Sequence, residues 1–589
     1  MRIYNILTMS TEENRSFVKP YAVIDDRLAV SDVLDFGVMK GAQELTVQRF
    51  PANSASSSSH VYNVQCPSRS TVISREIIWH SKVTLTLTAP KIDPQYVGPN
   101  KHLVAVGSTD ALGPFPLASL CSTIQATINS NTVSVQMQDV LPQLLRLNNK
   151  NDLLAYNGST PTAYDTFFDY AGSSKYISNP NGGVDNSPDE DINYRGSYPV
   201  TIIPGVAPFQ NGPIPTPPAP NTAYSEQITF EVYEPLLLSP FMFGQPQNRS
   251  GMYGVNNMSF QMNFGNKNRV WRHAAMNTGN PTTDRSWDIV VSDISFADSE
   301  LIFNFMTPPN SMVLPKRCVV PYYNLNRMLL STNSATVGPG VKTVIESNAV
   351  TIEQIPDKFI ICVRKPMSTQ TCMDSDSFLP VTALTLTFNN KAGYCSGWKN
   401  VDFYRSARNA GSNQSWLEFQ GSANAATTDP IAGVNVIKTS GSLIVLDLAR
   451  DITLSEEHLS SSVGGSYNLQ FQIEVTNPYT YAVAPEIVLI SVNSGVFKLE
   501  DGSSELKTAV LLPSEVAAAK KETPVVHANI RRMLGSGFVD SLRHAWKKSA
   551  PMVKHGVSVA DALTADGLSA SGLSGAAIRH HKSLKDRLK

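Results

Sequence analysis

The stretch Ile124-Gln125-Ala126-Thr127-Ile128-Asn129-Ser130-Asn131-Thr132 decides how the rest of the chain is read. Ile124, Ala126 and Ile128 alternate with Gln125 and Thr127, the period of two that marks a half-buried strand. The Asn/Ser cluster reads as a turn. Asp139 is expected as a helix N-cap ahead of Val140, Leu141, Leu144 and Leu145. The same order returns 260 positions later, where Leu384, Leu386 and Phe388 alternate with Thr385 and Thr387 and Asn389-Asn390-Lys391 breaks the run. Asn400-Val401-Asp402-Phe403-Tyr404-Arg405 closes this second copy, first polar and then apolar. The match lies in order and chemistry more than in identity. It implies an internal duplication and two related β domains in one chain.

Outward from these two stretches the same style continues. Lys82, Thr84, Thr86 and Thr88 alternate with Val83, Leu85 and Leu87; Ile228, Phe230 and Val232 with Thr229 and Glu231; Leu469, Phe471, Ile473 and Val475 with Gln470, Gln472 and Glu474. Further strands are expected over 258–264, 287–305, 322–330, 350–355, 359–363, 442–448 and 486–499, with Gly495 as a turn or bulge in the last. Many short strands, frequent turn signals and few helices indicate sandwiches with long crossover loops. A chain of 589 residues has room for two sandwiches of about 200 to 250 residues each. The expected organisation is an arm over 1–40, a first sandwich over 41–305 with a long insertion at 148–222, a second over 306–510, and a tail over 511–589. The insertion is rich in Asn, Gly, Ser and Pro, but Tyr164, Phe167, Phe168, Tyr170 and Tyr176 supply enough aromatic surface to pack. It is therefore expected as an ordered excursion on an exposed face.

Charged residues form 16% of the chain, against about 25% in ordinary soluble domains. Two readings fit, an outer surface kept against copies of the same chain or a neutral, loop-rich β protein. Six cysteines occur without a CxxC pair, and no His stands at zinc-finger spacing, so neither a disulfide framework nor a structural metal is expected. No apolar run of about 18 residues is present and the apolar start is too short for a signal peptide, so a soluble chain is expected. Net charge near zero hides an asymmetry. Residues 520–589 hold 13 Lys/Arg against five Asp/Glu, while the remainder holds 35 against 44. A basic tail on a mildly acidic body is aimed at nucleic acid, an anionic membrane or an acidic neighbour, unless it is simply solvated.

Several stretches together resemble the double jelly-roll major capsid proteins of icosahedral, mainly double-stranded DNA, viruses and virus-like elements. They are Ile355-Pro356-Asp357-Lys358-Phe359-Ile360-Ile361, Phe378-Leu379-Pro380 leading into the Leu384 strand and Asn389-Asn390, Asp402-Phe403-Tyr404-Arg405, Glu234-Pro235-Leu236 with Ser239-Pro240-Phe241, and Val492-Asn493-Ser494-Gly495-Val496-Phe497. The resemblance covers residues 40–505 and leaves out the Pro-rich insertion and the tail. It implies a mainly β fold of two tandem eight-stranded jelly rolls, a structural role in the virion without catalysis or cofactor, and homotrimers filling pseudo-hexagonal lattice positions. It further implies neighbouring capsomers, penton and minor capsid proteins as partners, with synthesis in the host cytoplasm or nucleus. A carbohydrate-binding or carbohydrate-cleaving sandwich is the alternative, since fold alone does not decide function.

Chemical motifs are sparse. Gly338-Pro339-Gly340-Val341-Lys342-Thr343 lacks the spacing of a phosphate loop and reads as a turn. The acidic run 185–191 lacks the Gly and final Glu of a calcium loop and reads as solvated. Lone histidines such as His80 and His273 read as packed or capping residues. The tail carries the functional candidates. Phe538, Leu542 and Trp546 recur at helical spacing among Arg543, Lys547 and Lys548, and Arg531, Arg532 and Lys554 flank them. This basic amphipathic segment suits contact with genome phosphates, minor proteins or an inner membrane at the particle interior.

Overall fold

The computed structural model describes residues 2–5, 21–24 and most of 44–508; within the latter, 92–101, 107–108, 157, 167, 169–201, 206–222, 242–250, 275–286, 309–313, 315, 331–335, 427–433, 449–450 and 453–462 are not described, nor are 509–589. Eight antiparallel strands form the first roll: Glu44–Pro51, Ser59–Gln65, Ile78–Ala89, Cys121–Ile128, Asn131–Val135, Tyr224–Pro235, Asn257–Phe264 and Val290–Thr307. Numbered in chain order within the roll, they pair 1-8-3-6 in one sheet and 2-7-4-5 in the other. Short strands such as Ile202–Pro204 extend the edges.

The second roll repeats this pairing. Arg317–Leu330, Glu486–Glu500, Lys358–Arg364 and Ile444–Asp447 make the 1-8-3-6 sheet. The opposing sheet contains Gly464–Thr476, Val381–Phe388 and Lys391–Tyr394, with the second strand split into Lys342–Glu346 and Val350–Gln354. Inward residues fill each roll. Trp79, Val83, Leu85, Phe260 and Phe303 are buried in the first, and Phe359, Ile361, Leu384, Phe471 and Ile473 in the second.

The duplicated stretch occupies equivalent places in both rolls. Each copy is a hairpin of strands four and five closed by a two-residue loop, Ile128 pairing Asn131 and Phe388 pairing Lys391. Asn129, Asn389 and Asn390 take φ values of 53°, 47° and 66°. Asn is tolerated there because its short polar side chain offsets the left-handed backbone. A helix follows each hairpin, Met137–Leu147 in the first roll and Asn400–Asn409 in the second.

Three expectations change. Asp139 is not the N-cap, a position that Gln136 occupies; it sits inside the first turn and is buried, held by cations of the second roll described below. Gly495 is neither turn nor bulge but part of the continuous strand Glu486–Glu500, opposite Tyr322. A Cβ at Gly495 would collide with the Lys507 carbonyl, so the glycine serves the close approach of the strand Ser503–Lys507. The stretch of the insertion over 160–168 packs inward, whereas Ile203 and Pro204 further along it are exposed. Tyr164 and Phe168 are buried, Phe168 sits 4.4 Å from the Tyr479 ring, and the Ser440 amide donates to Thr166 O at 3.0 Å. Phe167, Tyr170, Tyr176 and the acidic run 185–191 lie outside the described residues. Residues 338–341 form the expected turn, the Val341 amide donating to Gly338 O at 3.2 Å.

Candidate functional site

The chemistry of the described chain concentrates at the seam between the two rolls. Helix Met137–Leu147 is buried along its whole length, although only the Val140, Leu141, Leu144 and Leu145 face was expected to be apolar. Its polar face meets the second roll. Asp139 accepts a short bond from Arg364 and a 3.0 Å ion pair from Arg327. Arg364 donates in turn to Glu486 at 2.8 Å, and Gln143 Nε2 donates to Cys362 Sγ at 3.1 Å. Burial works against the Arg364 charge, but the Asp139 and Glu486 carboxylates outweigh it and raise its pKa.

A second clamp lies along the same seam. The 3-10 turn Lys267–Val270 and the strand Trp271–His273 present Arg269 and Arg272, both buried. Arg269 donates to Asp376 Oδ1 at 2.7 Å and to the carbonyls of Thr371 and Asp374 at 3.0 and 2.8 Å. Arg272 donates to Asp376 Oδ2 at 2.8 Å and to Asp165 Oδ2 at 3.1 Å. The Asp376 amide donates to that same Asp165 oxygen at 2.8 Å. Asp376 thus bridges two guanidiniums of the first roll from a loop of the second. Burial alone would push the Asp376 carboxyl up, yet Arg272, Arg269 and Arg146 hold it below the usual carboxylate range. Arg146 extends the clamp, donating to Asp165 O at 2.9 Å and lying 4.8 Å over the Phe378 ring.

Two further buried acids brace the first roll beside the seam. Asp110 accepts from His273 Nδ1 at 2.8 Å, Trp271 Nε1 at 2.9 Å, Thr109 Oγ1 at 2.6 Å and the Ala105 amide at 2.9 Å. His273 Nε2 faces the Trp287 carbonyl at 2.9 Å. Both ring nitrogens therefore meet acceptors, the arrangement of an imidazolium. Burial disfavours both charges, but each group outweighs that cost for the other, so the His273 pKa is raised and the Asp110 pKa lowered. With both His273 and Asp110 fully buried and both imidazole nitrogens engaged, the pair is structural. Glu234 accepts from the Leu117 and Ala118 amides at 2.8 and 3.0 Å, and its burial raises its pKa to about 7.

None of the tail residues singled out from the sequence (Arg531, Arg532, Phe538, Leu542, Arg543, Trp546, Lys547, Lys548 and Lys554) is placed, because all lie outside the described residues. His80 is packed as expected, stacked on Tyr233 with its nitrogens facing Glu231 and Glu300. Among the described residues no group of three or more His, Cys, Asp or Glu is arranged to hold a metal, and all six cysteines are buried and free. The seam residues Arg146, Asp165, Arg269, Arg272, Arg364 and Asp376 escaped the sequence reading, and Asp139 entered it only as a helix cap. One signal was present. Phe359-Ile360-Ile361-Cys362-Val363 and Ile487-Val488-Leu489-Ile490 are unbroken apolar runs, which mark strands covered on both faces.

The comparisons agree with this architecture. The family described as Sputnik virophage major capsid protein 1st domain matches residues 16–319, and the major capsid protein V20 C-terminal domain matches residues 325–495. A Sputnik virophage protein named as capsid protein V20 is 27% identical over 537 residues, covering 89% of this chain and 85% of that protein. The Sputnik virophage structure solved at 3.5 Å by cryo-EM aligns with a TM-score of 0.69 at 25% identity, covering 87% of this chain and 97% of the other. The mavirus major capsid protein shares the fold with a TM-score of 0.62 at 15% identity, covering 87% and 99%.

Two outcomes are expected. Asp376→Asn leaves Arg269 and Arg272 buried without their shared counter-charge and should cost about 3–5 kcal/mol, read as a lower urea midpoint with an unchanged slope; a loss below about 1 kcal/mol contradicts the bridging role. Stability should also fall as pH rises from about 5 to 8. Glu234, raised to about 7, contributes below its unfolded pKa and loses that contribution as pH climbs to the folded value. His273, also raised, contributes below about 6.5 and loses it above. Urea midpoints at the two pH values check the direction, and Glu234→Gln should flatten the decline.

Proposed function

Because the chain belongs to the Sputnik virophage major capsid protein family, we propose that it builds trimeric, pseudo-hexagonal capsomers of an icosahedral shell. The chain is a structural capsid protein of the virion and self-associates. The observation that supports the trimer is the pair of duplicated rolls locked by buried ion pairs. Two like bodies held at one fixed angle let three chains occupy six-fold positions, through a contact that closes on itself. Such a trimer would bury well over about 2,000 Å², consistent with a chain in which only 16% of residues are charged.

The tail belongs to the same proposal. Residues 511–589 face the particle interior, where Arg531, Arg532, Arg543, Lys547, Lys548 and Lys554 meet genome phosphates, anionic lipid or acidic minor proteins, and Phe538, Leu542 and Trp546 supply an apolar face. Penton proteins, minor proteins and neighbouring capsomers are the remaining partners.

Light scattering of the purified protein should give about three times the 64.1 kDa chain mass, and shells should appear in negative stain. A stable monomer without particles at any salt concentration contradicts the trimer. DNA binding by the full chain should weaken steeply when salt is raised to about 0.5 M and should be lost when residues 511–589 are removed. Salt-insensitive binding would overturn the phosphate contact.

A further inference from the structure

The chain does not leave the second roll where its last long strand ends. Glu500-Asp501-Gly502-Ser503 reverses it in a two-residue hairpin, Glu500 pairing Ser503, with φ values of 47° at Asp501 and 82° at Gly502. Asp-Gly is the dipeptide that such a turn favours, because both central residues need positive φ. The returning strand Ser503–Lys507 lies along Val496–Glu500, with Leu506 packed against the core. Residues 509–589 continue from this strand.

Its other side reaches the first roll. The Ser504 hydroxyl donates to Ile128 O at 2.7 Å and accepts from the Ser130 and Asn131 amides at 3.3 and 3.2 Å. Asn131 Nδ2 donates to the same hydroxyl at 3.0 Å and, in a short bond, to Ser504 O. Asn129 Nδ2 donates to Ser503 O at 3.4 Å. The partner is the hairpin of strands four and five, whose counterpart in the second roll, Asn389-Asn390, is exposed. These bonds differ from the charged clamps in kind and in place. They join neutral groups that are half-buried or exposed, and such bonds are weaker than charge-assisted ones. Arg364 pairs Glu486 at one end of the strand Glu486–Glu500, and Asp376 lies in the loop that follows Arg364. The Asp-Gly hairpin stands at the other end of that 15-residue strand, roughly 45 Å away.

We propose that Ser503–Lys507 is a releasable strap closing one end of the joint between the rolls. Its withdrawal lets the rolls part at that end, while the charged clamps at the other end act as the hinge. Tyr253 OH donating to Arg317 O at 3.0 Å and the Tyr323 amide donating to Ser239 Oγ at 2.9 Å also cross the joint. Both are single neutral bonds that opening would exchange for water at small net cost. The clamps cannot open as cheaply, because each would leave a buried charge without its partner. Gly502 keeps the strap seated: a Cβ there would stand 2.3 Å from Asn256 Nδ2 on a loop of the first roll, and its φ of 82° disfavours any side chain. Because residues 509–589 continue from the strap, a pull on the tail is delivered to the joint and so to both rolls. Tail and subunit shape are thereby linked, whatever the tail binds. The proposal concerns a single chain and stands apart from the trimer reading.

Spin-label distances in the full chain test it, since the six native cysteines are buried. One labelled pair, Ser70→Cys with Ala392→Cys, spans the strapped end, and a second, Ser57→Cys with Ser368→Cys, spans the clamped end; all four positions are exposed. Labelled chain is co-assembled with excess unlabelled chain, so that distances within one copy are read. Ser504→Val combined with Asn131→Ala removes most of the strap's bonds. It should lengthen and broaden the 70–392 distance and leave the 57–368 distance at its starting value. Asp376→Asn should do the reverse, shifting the 57–368 pair. Should the double variant fail to fold, Gly502→Val displaces the strap from its own side of the contact and is read in the same way. An unchanged 70–392 distance in the strap variant overturns the strap. A shift of both pairs together overturns the hinge, since the clamps would then not hold alone.

Discussion

The structure depends on one constraint, a set of charges taken out of water where the two rolls meet. Asp376 between Arg269 and Arg272, and Arg364 between Asp139 and Glu486, are satisfied only when both rolls hold their observed positions. A buried charge tolerates a lost partner poorly, at a cost of about 3–5 kcal/mol. Sliding one roll along the other would strand several charges at once. Apolar contacts alone are non-directional and would permit more than one packing of two smooth sandwiches. The charged seam therefore acts mainly on orientation, and two rolls become one rigid body.

That rigidity is what a capsid subunit requires. A shell repeats one geometry many times, and an angular error within the subunit would accumulate around a ring. The seam is built from elements that the jelly-roll pairing places at the roll surface, the helix after strand five and the outward row of the 1-8-3-6 sheet. Duplication supplies each element twice. One such pair is consumed inside the chain, where helix Met137–Leu147 meets the second roll through Asp139, Arg327 and Arg364.

The acids beside the seam follow the same logic. Asp110, with four donors converging on it, fixes Trp271 and His273 on the strand that also carries Arg272. The backbone amide of His273 donates to Cys372 O in the second roll at 3.0 Å, so the imidazolium steadies a residue that itself crosses the seam. Glu234 ties the end of the first roll's sixth strand to the start of the helix Pro116–Leu120. The His273–Asp110 pair is thus tied to the joint, whereas Glu234 braces the first roll alone.

The repeated local units were legible in the order of the residues. Alternation in 124–128 and 384–388 forced half-buried strands, Asn129 and Asn389-Asn390 forced tight turns, and the order of these signals exposed the duplication, because period and turn chemistry act between near neighbours. The double jelly-roll resemblance followed from the same stretches. Tertiary structure alone decided the seam. Asp139 read as a helix cap because its partners, Arg327 and Arg364, lie about two hundred positions away, and no local rule connects them. Gly495 read as a turn or bulge because only the packed Lys507 backbone shows why a side chain is excluded. Apolar patterning acts along the chain, whereas charge pairing across a seam becomes specific only once two distant surfaces have left water together.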